Sequence, residues 1–327
     1  MNWKGKKVLV TGSAGFIGSH LTEKLLDLGA DVSSFIRYNS RDDLGFIQSL
    51  KDSEKINIIK GDIRELATVK EAVKGQDIVF HLAASISVPY SMIHPSEVVE
   101  TNVMGTLNVL TASKDEDVEK VVVTSSSEVY GSALYVPIDE KHPLQAQSPY
   151  AASKIGGDKI AESFYRCYNL PVATIRPFNT FGPRQSTRAV IPTIITQALT
   201  QDKILIGATD TFRDFTFVSD TANGFIKIAE SPKSIGEVIN IGSGVDISIN
   251  DVIKKVVKIV GRDVQVVVDE KRLRPNKSEV KRLLASNEKA KRLVGWEPEV
   301  SLDEGLKRTI EWISKSINFY KPKEYHV

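Results

Sequence analysis

The chain of 327 residues contains one cysteine, Cys167, so no internal disulfide can form and a reducing compartment fits. No stretch approaches the roughly 20 apolar residues that a membrane span requires, which argues against a membrane partner. The opening MNWKGKKVLV runs straight into an apolar strand without the h-region of a secretory signal, so a cytoplasmic protein is expected. Charge is nearly balanced, with 43 Lys and Arg against 41 Asp and Glu, and the net +2 gives no reason to expect nucleic acid. The basic stretch 271–292 is the one local excess and reads as solvated surface. Five histidines, His20, His81, His94, His142 and His326, are scattered, none pairs with a second ligand at metal-site spacing, and no metal is expected. Internal repeats and low-complexity segments are also missing.

What is present is an ordinary soluble composition, 41% hydrophobic, in a chain long enough for one large domain or two moderate ones. Short apolar or β-branched runs at 7–11, 31–37, 56–60, 77–82 and 120–125 alternate with helical patterns, notably 17–28, 63–73 and 95–113. Strands separated by helices imply right-handed βαβ units. The expected fold class is therefore α/β, a doubly wound parallel sheet of Rossmann type with a smaller C-terminal substrate lobe. A further strand is expected at 169–176. Beyond it Pro177, Gly182, Pro183 and Pro192 interrupt the rhythm. The expected division is 1–176 for dinucleotide binding, with 213–242 returning to it, and 177–212 with 243–327 for the substrate lobe.

Gly12, Gly15 and Gly18 form a G-x-x-G-x-x-G turn between the first strand and the first helix. Glycines there permit a tight turn and a close approach of phosphate to backbone, and a helix N-terminus favours the negative charge. A lone Gly-rich turn can also be only a helix cap, but its place after a strand favours a dinucleotide. At the tip of the second strand an acidic residue would bind a ribose 2′-hydroxyl, whereas arginine accommodates a 2′-phosphate. This chain has Arg37, followed by Arg41, so NADP is favoured over NAD; the plainer alternative is an Arg37 that stacks on adenine or faces solvent. Asp62, at the next strand tip, either accepts from the adenine amine or caps the helix beginning near Arg64.

Tyr150 and Lys154 stand four residues apart in SPYAASK and project from one helix face. A free tyrosine, with a pKa of about 10, is a poor base at neutral pH. A nearby ammonium and a cationic nicotinamide ring would stabilise its phenolate. Ser126, Ser127 and Glu128 follow the strand at 120–125 and bring hydroxyls beside a carboxylate. Glu128 is alternatively a solvated or helix-capping group.

Together TGSAGFIGSH, HLAA (81–84), Asn102 in ETNVMGT, SSSEVYG, YAASK, RPFNTFGPR, RPNKSEVKRL and LVGWEP cover nearly the whole chain. On these motifs the sequence resembles the extended short-chain dehydrogenases/reductases, the nucleotide-sugar epimerase/dehydratase family. The resemblance implies a catalytic set of Ser126, Tyr150 and Lys154. It places cofactor contacts at Phe16, Ile17, Ile63, Leu82, Ala83, Ala84 and Asn102 beside the glycines, and also at Tyr150 and Lys154. It places substrate contacts at Ser85, Tyr90, Asn179, Arg184, Arg188, Arg213 and Arg274; Arg184 and Arg188 are alternatively surface ion-pair partners. Guanidinium forks suit a nucleotide diphosphate. A homodimer is implied through helices at 95–113 and 149–168.

Within that family the residue two beyond the catalytic serine discriminates. The 4-epimerases commonly lack a carboxylate there, whereas Glu128 matches sugar 4,6-dehydratases and UDP-glucuronate decarboxylases. Where dTDP-glucose 4,6-dehydratases carry an acidic Asp, this chain has Ser127, as do GDP-mannose 4,6-dehydratases. The loops RPFNTFGPRQSTRAVIPTII and SISVPYSMIHP resemble most closely the nucleotide-N-acetylglucosamine 4,6-dehydratases of nonulosonic (legionaminic-type) sugar pathways. The expected activity is a nucleotide-sugar 4,6-dehydratase, with a 4-epimerase or decarboxylase as the alternative. A non-catalytic dinucleotide sensor is the remote third, since such a protein would not need to retain both Tyr150 and Lys154.

Overall fold

The computed structural model describes residues 1–40 and 43–320. Its strands are β1 (Lys7–Thr11), β2 (Asp31–Arg37), β3 (Asn57–Gly61), β4 (Ile78–His81), β5 (Lys120–Thr124), β6 (Val172–Pro177), β7 (Asn179–Phe181), β8 (Lys203–Ile206), β9 (Phe212–Phe217), β10 (Val238–Ile241), β11 (Asp246–Ser248), β12 (Gln265–Val268) and β13 (Arg282–Leu283). The helices are α1 (Phe16–Asp27), α2 (Leu66–Val73), α3 (Val88–Ile93), α4 (Pro95–Val99), α5 (Gly105–Asp115), α6 (Pro149–Tyr168), α7 (Val190–Thr200), α8 (Val218–Glu230), α9 (Ile249–Val260), α10 (Glu288–Val294) and α11 (Leu302–Lys315). Seven parallel strands in the order β10-β6-β5-β4-β1-β2-β3 form the main sheet. This is the doubly wound α/β fold. No described helix is long and apolar enough to cross a membrane.

The sheet is apolar on both faces because both are covered, as parallel sheets require. Side-chain alternation separates the two cores. Val8 and Val10 of β1, Phe80 of β4 and Val122 of β5 pack with Leu21 and Leu25 of α1 and Phe225 of α8. Leu9, Val79, Val121 and Val123 point the other way, against Val69 of α2, Val109 and Leu110 of α5, and Ala161 of α6. Full burial of such side chains contributes about 1.5–3 kcal/mol each.

A third core holds the smaller lobe, where Ile194 of α7, Val252 and Val256 of α9, and Leu306 and Ile313 of α11 pack on Phe215 and Phe217. Within 213–242, α8 and β10 lie with the main sheet, whereas β9 joins β7, β11 and β13 in a separate four-stranded sheet.

Two helices differ from the sequence expectation for local reasons. The first turn expected from residue 63 is replaced by a side-chain turn. The Asp62 carboxylate accepts from Arg64 N (3.0 Å), and α2 starts only at Leu66. The long helix expected over 95–113 is interrupted by a π-helical turn at Glu100–Met104, which carries Asn102. Such turns are frequent at functional sites.

Every polar atom of His81 is accounted for. Thr106 Oγ1 donates to Asn102 O (2.6 Å), so it must accept the bond from His81 Nε2 (3.1 Å). His81 Nδ1 then accepts from Thr11 Oγ1 (2.9 Å), whose lone pairs receive Leu82 N and Ala83 N, both at 3.1 Å. The ring is thereby held as the neutral Nε2–H tautomer. Burial, aided by the charge of Lys154, pushes its pKa down to about 3. His20 bonds Pro183 O and is pushed down to about 4 by burial and the nearby Arg184.

An unfolded histidine binds a proton near pH 6.5, and neither folded ring does so until far lower pH. Stability is therefore lost as pH falls from about 6.5 towards 4. Denaturant unfolding at pH 6.5 and 4.5 should show His20→Gln losing less stability over this interval than the wild type, by up to about 2 kcal/mol. Equal losses would mean that His20 is not buried in its neutral form.

Candidate active site

The sequence-singled residues of the first half gather at the carboxyl ends of the parallel strands, where open α/β sheets bind ligands. The turn after β1 has no room for larger residues. Gly12 has φ +74°, and a Cβ on it would lie 2.8 Å from Ala83 N; one on Gly18 would lie 2.2 Å from Gly12 O. Gly15 caps α1 without a side-chain bond, which leaves the first-turn N–H groups of α1 without a side-chain acceptor from the cap. A glycine cradle with free amides at a helix start fits a dinucleotide diphosphate. Phe16 stands edge-on to His20 at 6.0 Å, and Ile17 packs between the two lobes' cores.

Arg37 is exposed at the tip of β2, in register with Gly61. Arg41 and His326 lie outside the described residues. The Asp62 carboxylate is engaged by Arg64 through Nε (3.0 Å) and Nη2 (2.6 Å), which with burial opposing holds its pKa below the ordinary value. Ile63 O accepts from Asn108 Nδ2 (3.1 Å). Leu82 and Ala83 are fixed by Thr11, and Ala84 follows them in the same loop.

Asn102 ties that loop to α6. Its Oδ1 accepts from Ser85 N (2.8 Å), and its Nδ2 donates to Ser85 O (3.0 Å) and Ser153 Oγ (2.8 Å). Ser153 in turn donates to Tyr150 O (2.7 Å).

Ser148 caps α6 by accepting from Ala151 N (3.1 Å), with Pro149 at the first helical position. The helix therefore starts just ahead of Tyr150, and its buried face carries Tyr150, Lys154 and Asp158. Lys154 Nζ donates to Thr124 O (2.8 Å). Burial lowers the Lys154 pKa to about 8 and raises that of Tyr150 to about 12, where a bond to Ser126 works in the opposite direction. The lowering expected for Tyr150 is thus not a property of the chain alone. Burial outweighs it, and a bound cation at the nicotinamide position has that much to offset.

Beyond β5, Ser126 Oγ accepts from Glu128 N (3.2 Å) and starts the 3₁₀ turn Ser127–Tyr130, in which Ser127 is buried. After burial, the Glu128 and Asp158 charges add to the upward shift of Tyr150.

Opposite this turn, the smaller lobe supplies two guanidinium groups. Arg274 Nη1 lies 3.8 Å from Glu128 Oε2 and is buried without a hydrogen-bond partner. Arg213 donates to Glu279 (3.2 Å) and Phe212 O (2.9 Å). Asn179 Oδ1 is also buried without a partner. Tyr90 donates to Glu97 (2.6 Å), and the charges of Arg37 and Arg188 reach it. Arg184, at φ +70°, turns to α1, where it binds Glu23 (2.8 Å) and reaches Ser19 (3.5 Å).

Behind α6 lies a group that motif reading passed over. Arg176 holds Asp158 Oδ2 through Nε (3.1 Å) and Nη2 (2.8 Å), and donates to Tyr130 OH (2.9 Å), which donates to Asn240 (2.7 Å). Losing one member of such a buried pair costs about 3–5 kcal/mol. The sequence signal was an Asp four residues beyond Lys154.

A family model described as GDP-mannose 4,6 dehydratase matches residues 9–309. The dTDP-D-glucose 4,6-dehydratase of Homo sapiens is 33% identical over 98% of this chain and 93% of its own length. The UDP-glucose 4-epimerase of Mycolicibacterium smegmatis is 34% identical over 94% and 98%. A dTDP-glucose 4,6-dehydratase double mutant from Streptomyces venezuelae, solved with NAD bound, superposes with a TM-score of 0.87 at 30% identity, covering 97% of this chain and all of that one. With a glycine cradle, a buried Tyr/Lys helix face and this likeness over nearly its whole length, the chain belongs to the GDP-mannose 4,6-dehydratase family, the extended short-chain dehydrogenases/reductases that work as nucleotide-sugar dehydratases and epimerases.

Proposed function

We propose that the protein is a nucleotide-sugar 4,6-dehydratase that converts an NDP-hexose or NDP-N-acetylhexosamine to its 4-keto-6-deoxy product. The observation that carries this reading is Glu128, on the turn begun by Ser126 and close enough to Tyr150 for its charge to act there. A nicotinamide cofactor, when bound, supplies the hydride acceptor for C4 and the donor for C6. Tyr150 takes the O4 proton, and Ser126 hydrogen-bonds that oxygen. Lys154, in its charged form, favours the phenolate. Once C4 is a ketone the C5 hydrogen is acidic, and Glu128 removes it as the C6–O bond breaks. The hydroxide leaves as water with the proton that Tyr150 took from O4, and Glu128 returns its proton to C5 as hydride reaches C6. Ser127 stands beside the departing hydroxyl in this reading, as a relay and not as a strong acid. Arg213 and Arg274 receive the diphosphate.

The loop resemblance supports nucleotide-linked N-acetylglucosamine as the substrate. The 4-epimerase relative supports the alternative, in which hydride returns to C4 on the other face and Glu128 has no task. A second copy of the chain is the proposed partner. Val99 and Met104 on the segment 95–104 and Tyr168 on α6 are 42%, 46% and 56% exposed, and such a contact would cover them.

Glu128→Gln keeps size and hydrogen bonding but removes the base. With UDP-N-acetylglucosamine, GDP-mannose and dTDP-glucose offered together, wild type should give a product lighter by one water. The variant should lose elimination and C5 exchange with deuterated solvent by about 10²-fold or more. Wild-type rates of both in the variant would leave the epimerase reading in front.

For the cofactor, Arg37 at a strand tip without a carboxylate supports NADP, whereas the relative solved with NAD supports the alternative. Denatured protein should release NADP in preference to NAD, and Arg37→Asp should reverse the preference. Recovery of NAD alone from wild type would overturn this.

A further inference from the structure

Lys154 is almost out of water, and among the described residues its one hydrogen bond goes to a backbone carbonyl, Thr124 O. Around it stand Tyr150 on its own helix, the neutral His81 ring from β4, and Asp158. Asp158 lies four residues on, so its Cβ is about 5–6 Å from that of Lys154 on the same face. Asp158 is 5% exposed, and Arg176 from β6 holds Oδ2 with two bonds while Oδ1 has no partner. The pair also lines a cleft of about 210 Å³ whose other charged groups are Glu140, Lys159, Glu162, Glu237 and Lys289. Lys159 pairs with Glu162 and Lys289 with Glu237, at 2.8 and 2.7 Å, and Glu140 is raised by burial towards its neutral form. Asp158 is accordingly the carboxylate that acts on Lys154 from within its own helix face.

We propose that Asp158 is a positioning residue that keeps Lys154 charged, anchored for that purpose by Arg176. The anchor explains why the carboxylate does not fold over onto Lys154 itself. Held by Arg176, it supplies a field to the ammonium without binding it, and Lys154 Nζ remains on Thr124 O. Burial brings the group down to about 8, and Asp158 is the influence that opposes it. An unprotonated Lys154 would offer Tyr150 no positive charge. The proposal rests on the catalytic reading of Lys154, and the test separates the two.

Lys154 is titrated by NMR in full-length protein carrying lysine labelled with ¹³C at Cε, its signal assigned by loss in Lys154→Met. Asp158→Asn should move that titration down by about one pH unit or more. Asp158→Glu should restore it. If the orphaned Arg176 prevents the single variant from folding, Asp158→Asn with Arg176→Gln removes both charges and should still titrate below wild type. A folded variant lacking the carboxylate in which Lys154 titrates as in wild type would overturn the proposal. In parallel, the alkaline limb of kcat/KM with UDP-N-acetylglucosamine should move down with the NMR titration. An NMR shift without a move of that limb supports the role of Asp158 and overturns the reading of Lys154 as catalytic.

Discussion

Tyr150, Lys154 and Asp158 project from successive turns of α6 into a space that solvent barely reaches, where a charge has little water to screen it. Burial raises the tyrosine and lowers the lysine, so in the chain alone both groups are driven towards neutrality. Ser126 opposes that drive at the phenol and Asp158 opposes it at the ammonium, while the Glu128 and Asp158 charges push the phenol further up. A low-dielectric pocket makes each of these influences larger than it would be at the surface.

Such a field is useful only if its sources stay in place. The β1–α1 turn leaves no space for a Cβ at Gly12 or Gly18, so the backbone comes against the loop after β4. Thr11 and His81 bind that loop to the sheet, and Asn102 carries the connection through Ser85 and Ser153 to the backbone of Tyr150. The glycine turn and α6 are thus joined by a chain of satisfied hydrogen bonds. The neutral His81 matters here, because a charged ring would need a second acceptor where Thr11 offers a donor.

The smaller lobe contributes charge of the opposite sign. Arg274 leans towards Glu128, and Arg213 is held by Glu279. Arg274 Nη1 is a buried donor atom without a hydrogen-bond partner, which is costly. Arg184 instead binds Glu23 on α1, fastening a loop of the smaller lobe to the helix that begins at the glycine turn. The arginines after β6 therefore divide between holding the lobes together and facing the cleft.

Alternation of strand and helix patterns was enough to read the parallel sheet, because each βαβ unit is written in local periodicity. The glycine turn and the Tyr150/Lys154 spacing were legible for the same reason, since each lies within a few residues of chain. The start of α2 and the π-helical break at Glu100–Met104 were not legible, as each depends on hydrogen-bonding geometry that periodicity does not encode. Nor was the pairing of Arg176 with Asp158, of Arg184 with Glu23 or of Arg274 with Glu128, whose partners are 18, 161 and 146 residues apart in the chain. Sequence alone determined which chemical groups are available and the order in which the strands carry them. The tertiary structure decided which charges face one another and how far water is excluded, because burial and long-range pairing exist only once the sheet has closed.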